Sequence, residues 1–311
     1  MASPNTTLLE NVDARTKLAG SNKMEILLFS LGSRETFGIN VFKVREVSQT
    51  PKITNTPNMP HGVEGVISLR GNIIPVISLA KFVCPNDYSA EAEETMIVTE
   101  FSKHTQGFLV HSVDRIIRVD WNKVRAPENM LAGSQGLITA ITELEDGKLV
   151  SILDVEQILS SVIGEAIVPE IPNAHVDQDH FMFFVDDSMV ARKEIVGVLD
   201  KIGVKYHQAT NGAEAWDKLQ NIAGRYQHDG EQLKDHLKLI LVDAEMPEMD
   251  GYVLTKHIKS DHRFQGIPVV MHSSLSSNAN RAMGSSVGVD AYVAKFDPVI
   301  LAETITPFLH N

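Results

Sequence analysis

Leu239-Ile-Leu-Val-Asp-Ala-Glu-Met-Pro-Glu-Met-Asp-Gly251 decides the fold of the second half of this chain. Four apolar residues run into Asp243, and the polar, proline-containing segment that follows marks a strand's end. Three other short apolar runs end in the same way. Phe181–Val185 leads to Asp186-Asp187, residues 269–271 lead through His272 to Ser273, and Ala291–Ala294 leads to Lys295. Helical spacing lies between them, as in Ala191, Ile195, Val198, Leu199 and Ile202 after Ser188. Asp297-Pro298 is an N-cap with proline in the first turn, and Ile300, Leu301, Thr304, Ile305 and Phe308 form the stripe behind it. Fully apolar strands alternating with helices predict a parallel sheet covered on both faces. The C-terminal ends of such strands share one edge, and ligands bind there.

Asp186, Asp187, Asp243, Ser273 and Lys295 are therefore expected to converge. Three crowded carboxylates favour a hard divalent cation, and oxygen donors select Mg2+ or Mn2+. A carboxylate is also a nucleophile toward a phosphoryl donor, giving an aspartyl phosphate. The metal, the Lys295 ammonium and the Ser273 hydroxyl would then stabilise the phosphoryl oxygens. A single acid at a strand end can simply cap a helix. Five polar groups at successive strand ends are a different matter.

The first half reads mostly as strand up to about Glu156. Residues 24–31, 73–79, 95–100, 107–119 and 137–144, with Val63–Leu69 and Leu149–Leu153, are short and rich in Val and Ile. Glu145-Asp-Gly147 and Arg70-Gly-Asn72 are hairpin turns whose glycines can take positive φ. Each hairpin precedes a short helical stretch, so the two form a weak internal repeat. That repeat suggests two small β-barrels. Residues 160–180 contain Pro169, Pro172, Asn173 and four acids, and read as a linker. The expected divisions are 1–160 with a core at 24–156, a linker at 161–180, and 181–311.

The 311 residues hold 28 basic and 40 acidic side chains, a net charge of −12. Each half carries about −6, so no basic domain is hidden and nucleic-acid binding is not expected. The single cysteine, Cys84, excludes an intrachain disulfide and fits a reducing cytosol. Neither a signal peptide nor a membrane-length apolar run is expected.

Residues 181–311 resemble a response-regulator receiver domain of the CheY type. The match rests on Asp186-Asp187, Asp243 with Met246-Pro247 and Asp250-Gly251, Ser273, Tyr292 and Lys295. The resemblance implies a flavodoxin-like α/β fold with a five-stranded parallel sheet, and Asp243 as phosphoacceptor. It implies Mg2+ binding by Asp187 and Asp243, by the Glu245 backbone carbonyl, and by Asp186 largely through water. Ser273 and Tyr292 would be the switch residues. The Asp187-to-Asp243 interval is long for the family, and residues 223–236 read as a solvated insertion. Its histidines, His228 and His236, have no fixed ligand motif.

The first half resembles a CheW-type adaptor. The matching phrases run from Phe37 to Val47, from Thr56 through Leu69-Arg-Gly71 to Leu79, from Val113 to Val119 and from Leu149 to Glu156. An all-β pair of five-stranded barrels is implied, with Arg70, Val44 and Glu46 as partner-binding positions. His61, His104 and His111 have no partners at fixed spacing, so the adaptor is expected to work by surface recognition. An adaptor followed by a receiver is similar to CheV-type chemotaxis coupling proteins. That order implies chemoreceptor cytoplasmic tips, the histidine kinase CheA and CheW as partners. It also implies a cytoplasmic protein recruited to receptor arrays, acting as a phosphoacceptor rather than as an enzyme.

Overall fold

The computed structural model describes residues 23–84, 95–101, 104–125, 137–163, 168–273, 284–295 and 297–310. The chain divides into two compact units, Met24–Glu165 and a second that holds Ala166–Asn311.

The first unit contains two five-stranded sheets. One has the order β8-β1-β2-β10-β9 and the other β3-β6-β7-β5-β4. These are β1 Lys23–Ser30, β2 Thr36–Asn40, β3 Val44–Gln49, β4 Val63–Leu69, β5 Asn72–Ser78, β6 Thr95–Phe101, β7 His104–Val110, β8 Ser112–Asp120, β9 Ile138–Glu143 and β10 Leu149–Leu153. The run at 107–119 is thus two strands, divided at His111. Strands β2 and β3 overlap the Phe37–Val47 phrase, whose sequence does not separate them.

The internal repeat is visible in the pairing. Hairpin β4–β5 lies at the end of one sheet and joins the rest through the parallel pair β5–β7. Hairpin β9–β10 lies at the end of the other and joins through the parallel pair β10–β2. Each leads into a helix, α1 (Leu79–Val83) or α2 (Val155–Ile163). Strand alternation explains the packing. Met24, Ile26 and Leu28 of β1 face a core private to their own sheet. Leu27 and Phe29 face a shared core with Phe37, Ile77, Ile97, Phe108, Leu79 and Ile158. The second sheet has its own private core of Ile67, Ile74, Val76, Met96, Val98 and Leu109. A core on either face of each sheet is the arrangement expected of paired small barrels.

The second unit is a five-stranded parallel sheet of order β12-β11-β13-β14-β15. Its strands are β11 Phe181–Val185, β12 Lys205–Ala209, β13 Leu237–Asp243, β14 Val269–Ser273 and β15 Ala291–Ala294. The described helices are α3 Met189–Ile202, α4 Gly212–Asp229, α5 Leu233–His236, α6 Gly251–Ser260 and α7 Pro298–Leu309. Ser188, Asn211, Asp250 and Asp297 cap α3, α4, α6 and α7, each accepting a backbone N–H of the first turn. Core residues line both faces of the sheet. Phe183, Val185, Ile240 and Val242 pack toward Leu219 and Leu254, while Met182, Phe184, Leu239 and Leu241 pack toward Ile195, Leu199, Leu301 and Ile305. The strand order reverses between β11 and β13, so the edge beyond their C-termini is the switch point where a ligand site is expected.

Two expectations need correction. Residues 223–236 are not merely a solvated insertion, because Ala223 and Leu233 are buried in the core. Helix α4 repeats apolar residues every four positions through Ala215, Leu219 and Ala223, and so extends the core face by a full turn. Nor do residues 168–180 behave as a free linker. Val168, Ile171, Ala174 and Val176 pack against the α3 side of the second unit's core. The Lys201 ammonium donates to the Val168 and Pro169 carbonyls at 3.0 and 2.9 Å, and the Ala174 N–H donates to the Ile202 carbonyl at 2.9 Å. The intervening residues 164–167 lie outside the described set.

Candidate functional site

The predicted cluster assembles at the switch point. Asp186 follows β11 and is fully buried, and its Oδ1 accepts the Ser188 N–H at 2.9 Å. Asp243 ends β13 and is also buried. The Lys295 ammonium lies 2.9 Å from Oδ2 of Asp186 and 2.9 Å from Oδ2 of Asp243. Its backbone N–H donates to the Ser273 carbonyl at 2.9 Å, which fixes the lysine to the end of β14. Ser273 is buried there, one residue beyond the register pair Asp243–His272.

The loop after Asp243 is shaped by small residues and caps. The Glu245 N–H donates to Asp243 Oδ1 at 3.4 Å, so the main chain at 245 lies against the Asp243 carboxylate. A Cβ at Gly251 would collide with the Asp243 carbonyl, which explains glycine where α6 begins. Asp250 accepts the Val253 N–H at 2.8 Å. Tyr292 is half-buried beside Ala244, Tyr252, Met271, Val287 and Val289. Burial, with Tyr292 close by, pushes the Tyr252 phenol upward.

One ammonium serves two buried carboxylates, and a third stands beside them. Oxygens of Asp186, Asp187 and Asp243 can lie within 4.8 Å of one another. Burial opposes ionisation of Asp186, but Lys295 and then His272 outweigh it and bring its pKa down to about 2. Burial pushes Asp243 well above the ordinary carboxylate range, and Asp186 and Asp187 add to that against the pull of Lys295. Proton sharing is the expected result when two carboxylates meet one cation. Three hard oxygen donors short of positive charge are a donor set that fits a divalent cation.

Two residues at this site were not singled out by sequence. His272 is buried with its Nδ1 3.6 Å from Asp186 Oδ2, and its only sequence signal is a histidine inside an otherwise apolar strand. Arg192 reaches back from α3, one nitrogen donating to both the Asp186 and Asp187 carbonyls at 2.8 Å. In sequence it is an ordinary helix arginine.

The positions expected to bind partners in the first unit fall differently. Arg70 and Gly71 form the two-residue tip of hairpin β4–β5, with φ of 51° and 86°. Positive φ at both positions fits a type I′ turn. Its guanidinium is exposed and pairs with Glu46 on β3. Val44 was expected at the surface, but it is packed in the shared core. A register shift between Val44 and Glu46 in the β3–β6 pairing accompanies the change of face. His61 packs edge-on against Phe82, His111 is exposed, and the His104 side chain lies outside the described set. His236 pairs with Glu231 at 3.0 Å, and neither it nor His228 belongs to a metal-type cluster among the described residues. No described helix is long and apolar enough to cross a membrane.

Comparison with known proteins divides the chain in the same way. Residues 25–162 match the CheW-like domain family, and residues 182–306 match the response regulator receiver domain family. Chemotaxis protein CheV3 of Helicobacter pylori is 36% identical over 277 residues, covering 88% of each chain. Chemotaxis protein CheW of Klebsiella aerogenes is 30% identical over 51% of this chain and 96% of its own length. Chemotaxis protein CheY1 of H. pylori is 32% identical over 40% of this chain and 92% of its own.

Proposed function

The chain belongs to the CheV family of chemotaxis proteins, and from that premise we propose that it couples chemoreceptors to the histidine kinase CheA under control of Asp243 phosphorylation. The observation that carries the proposal is the Asp186–Lys295–Asp243 cluster, flanked by Asp187 and by Ser273.

Asp187 and Asp243 would hold Mg2+ (or Mn2+) with the Glu245 carbonyl, and Asp186 would act through water. When bound, the ion supplies positive charge to the phosphoryl oxygens. The chain's own residues do the rest. Asp243 Oδ attacks phosphorus of the donor phosphohistidine, the P–N bond breaks as the P–O bond forms, and the imidazole leaves. Lys295, already held between the two carboxylates, can follow the charge onto the phosphoryl group. Ser273 and Tyr292 would report the change to the receiver surface. Acylphosphate formation then biases the receiver between two conformations and, through it, the adaptor's fit in the array. We read the protein as a phosphoacceptor with at most slow self-dephosphorylation. CheW is a further partner, and the working location is a cytoplasmic receptor array.

The test is a reconstituted receptor–CheA array with wild type and Asp243→Ala. Kinase control that depends on Asp243 supports the proposal. The second reading is a structural adaptor whose receiver only docks, and equal control by both proteins would establish it instead. The preformed pair of exposed Arg70 and half-buried Glu46 is compatible with either reading.

A further inference from the structure

We propose that Arg192 is a positioning residue that sets the acidic turn, holding the backbone of Asp186 and Asp187 so that their carboxylates face the cation site. The inference rests on the reading of Asp186, Asp187 and Asp243 as the cation and phosphoryl site.

A turn between a buried strand and a helix leaves main-chain carbonyls that need donors. After β11, the Asp186 N–H is paired with the Ala209 carbonyl at 3.3 Å, and the Ser188 N–H with the Asp186 carboxylate. The carbonyls of Asp186 and Asp187 receive the same Arg192 nitrogen at 2.8 Å each. Arg192 sits four residues past the cap Ser188, and its own N–H donates to the Ser188 carbonyl at 3.0 Å. Backbone and side chain of one residue therefore tie the turn to the first turn of α3. Charge-assisted bonds to two adjacent carbonyls fix the peptide planes on both sides of Asp187. Lys201 shows the same device at the other end of α3, with one ammonium bridging the carbonyls of Val168 and Pro169.

Arg192 also brings a positive charge to a site that must attract one. As an electrostatic element it would oppose a divalent cation. As a positioning element it would favour one, by holding the ligands in place before the ion arrives. The two roles predict opposite signs, so the experiment can separate them.

The full chain is titrated with MgCl2 by calorimetry as wild type, Arg192→Met and Arg192→Lys. Metal-free hydrogen exchange of the Ser188 N–H is followed in parallel. Methionine keeps the apolar stem and removes the donors. Lysine keeps a donor that can bridge two carbonyls. Positioning predicts that Arg192→Met weakens Mg2+ binding about tenfold, the scale of outer-shell changes, while Arg192→Lys stays within about threefold of wild type. It also predicts faster Ser188 exchange in Arg192→Met without metal, with the β11 and β13 amides unchanged. Equal or tighter Mg2+ binding by Arg192→Met would overturn the proposal. So would a general loss of protection, because Arg192 would then hold the fold rather than the turn. If wild type gives no Mg2+ response, the cation reading fails on its own. The Ser188 exchange would still show whether Arg192 sets the turn.

Discussion

Both halves of the molecule set a lysine against buried carboxylate, and the two arrangements differ in one respect. In the adaptor, Lys43 lies 3.0 Å from Glu156, whose side chain is 1% exposed. That is one cation for one anion, a strut between the 3-10 turn Val41–Lys43 and the start of α2. In the receiver, Lys295 lies between Asp186 and Asp243, with Asp187 beside them. A balanced pair holds structure together. An unbalanced one stores unfavourable charge that a cation or a phosphoryl transfer can relieve.

Removing the balanced pair should cost most. Glu156→Gln leaves Lys43 without its buried counter-ion and should destabilise the adaptor by about 3 kcal/mol in denaturant melts. A loss below about 0.5 kcal/mol would mean that the lysine escapes to water.

Mg2+ should act on the other half. At a hundredfold excess over Kd it should stabilise the receiver by about 2.7 kcal/mol, seen as an upward shift of one calorimetric transition. Asp187→Asn should abolish the shift. A shift of the adaptor transition instead would place the ion elsewhere.

Asp243→Asn should do the reverse of Glu156→Gln and stabilise the metal-free receiver, because burial first, and the neighbouring Asp186 and Asp187 after it, disfavour the Asp243 charge. The pH dependence follows. Asp243 is raised in the folded state, so above the unfolded value near 3.8 the native form holds more protons. Its contribution therefore makes metal-free stability fall as pH rises from about 3.8 through the raised value. Asp186 is lowered to about 2, and its contribution is lost only as pH falls below the unfolded value. Melts of wild type and Asp243→Asn across pH 4–8 should diverge as pH rises, in line with the same linkage. Parallel curves would contradict the assignment.

The smallest stability effect belongs to the hairpin tip. Arg70 is exposed while its partner Glu46 is half-buried, and Arg70→Ala should change stability by about 1 kcal/mol or less. Its effect should appear in pull-down of CheA or receptor fragments. Unchanged binding would remove Arg70 from the contact surface.

The receiver site was legible because its strands are apolar throughout and end abruptly on charge. Asp186, Asp243, Ser273 and Lys295 needed only the rule that parallel strands share a C-terminal edge. Strand β12, Lys-Tyr-His-Gln-Ala, was not legible, because it is an edge strand with only Ala209 buried. Arg192 was hidden for another reason. Its partners are main-chain carbonyls, which no side-chain pattern displays. Val44 shows the limit of motif matching, since a one-residue register shift decides which neighbour faces water. The prolines at 169 and 172 signal an irregular path, but not that Val168, Ile171 and Val176 pack, half-buried, along it.

The central claim is that the unbalanced cluster accepts a phosphoryl group on Asp243. Its most direct test is incubation of the full chain with phospho-CheA and Mg2+, followed by mass spectrometry of the labelled peptide. The account predicts rapid, Mg2+-dependent label on Asp243 and none in Asp243→Asn. Absence of label on wild type, or equal labelling of Asp243→Asn, would contradict it.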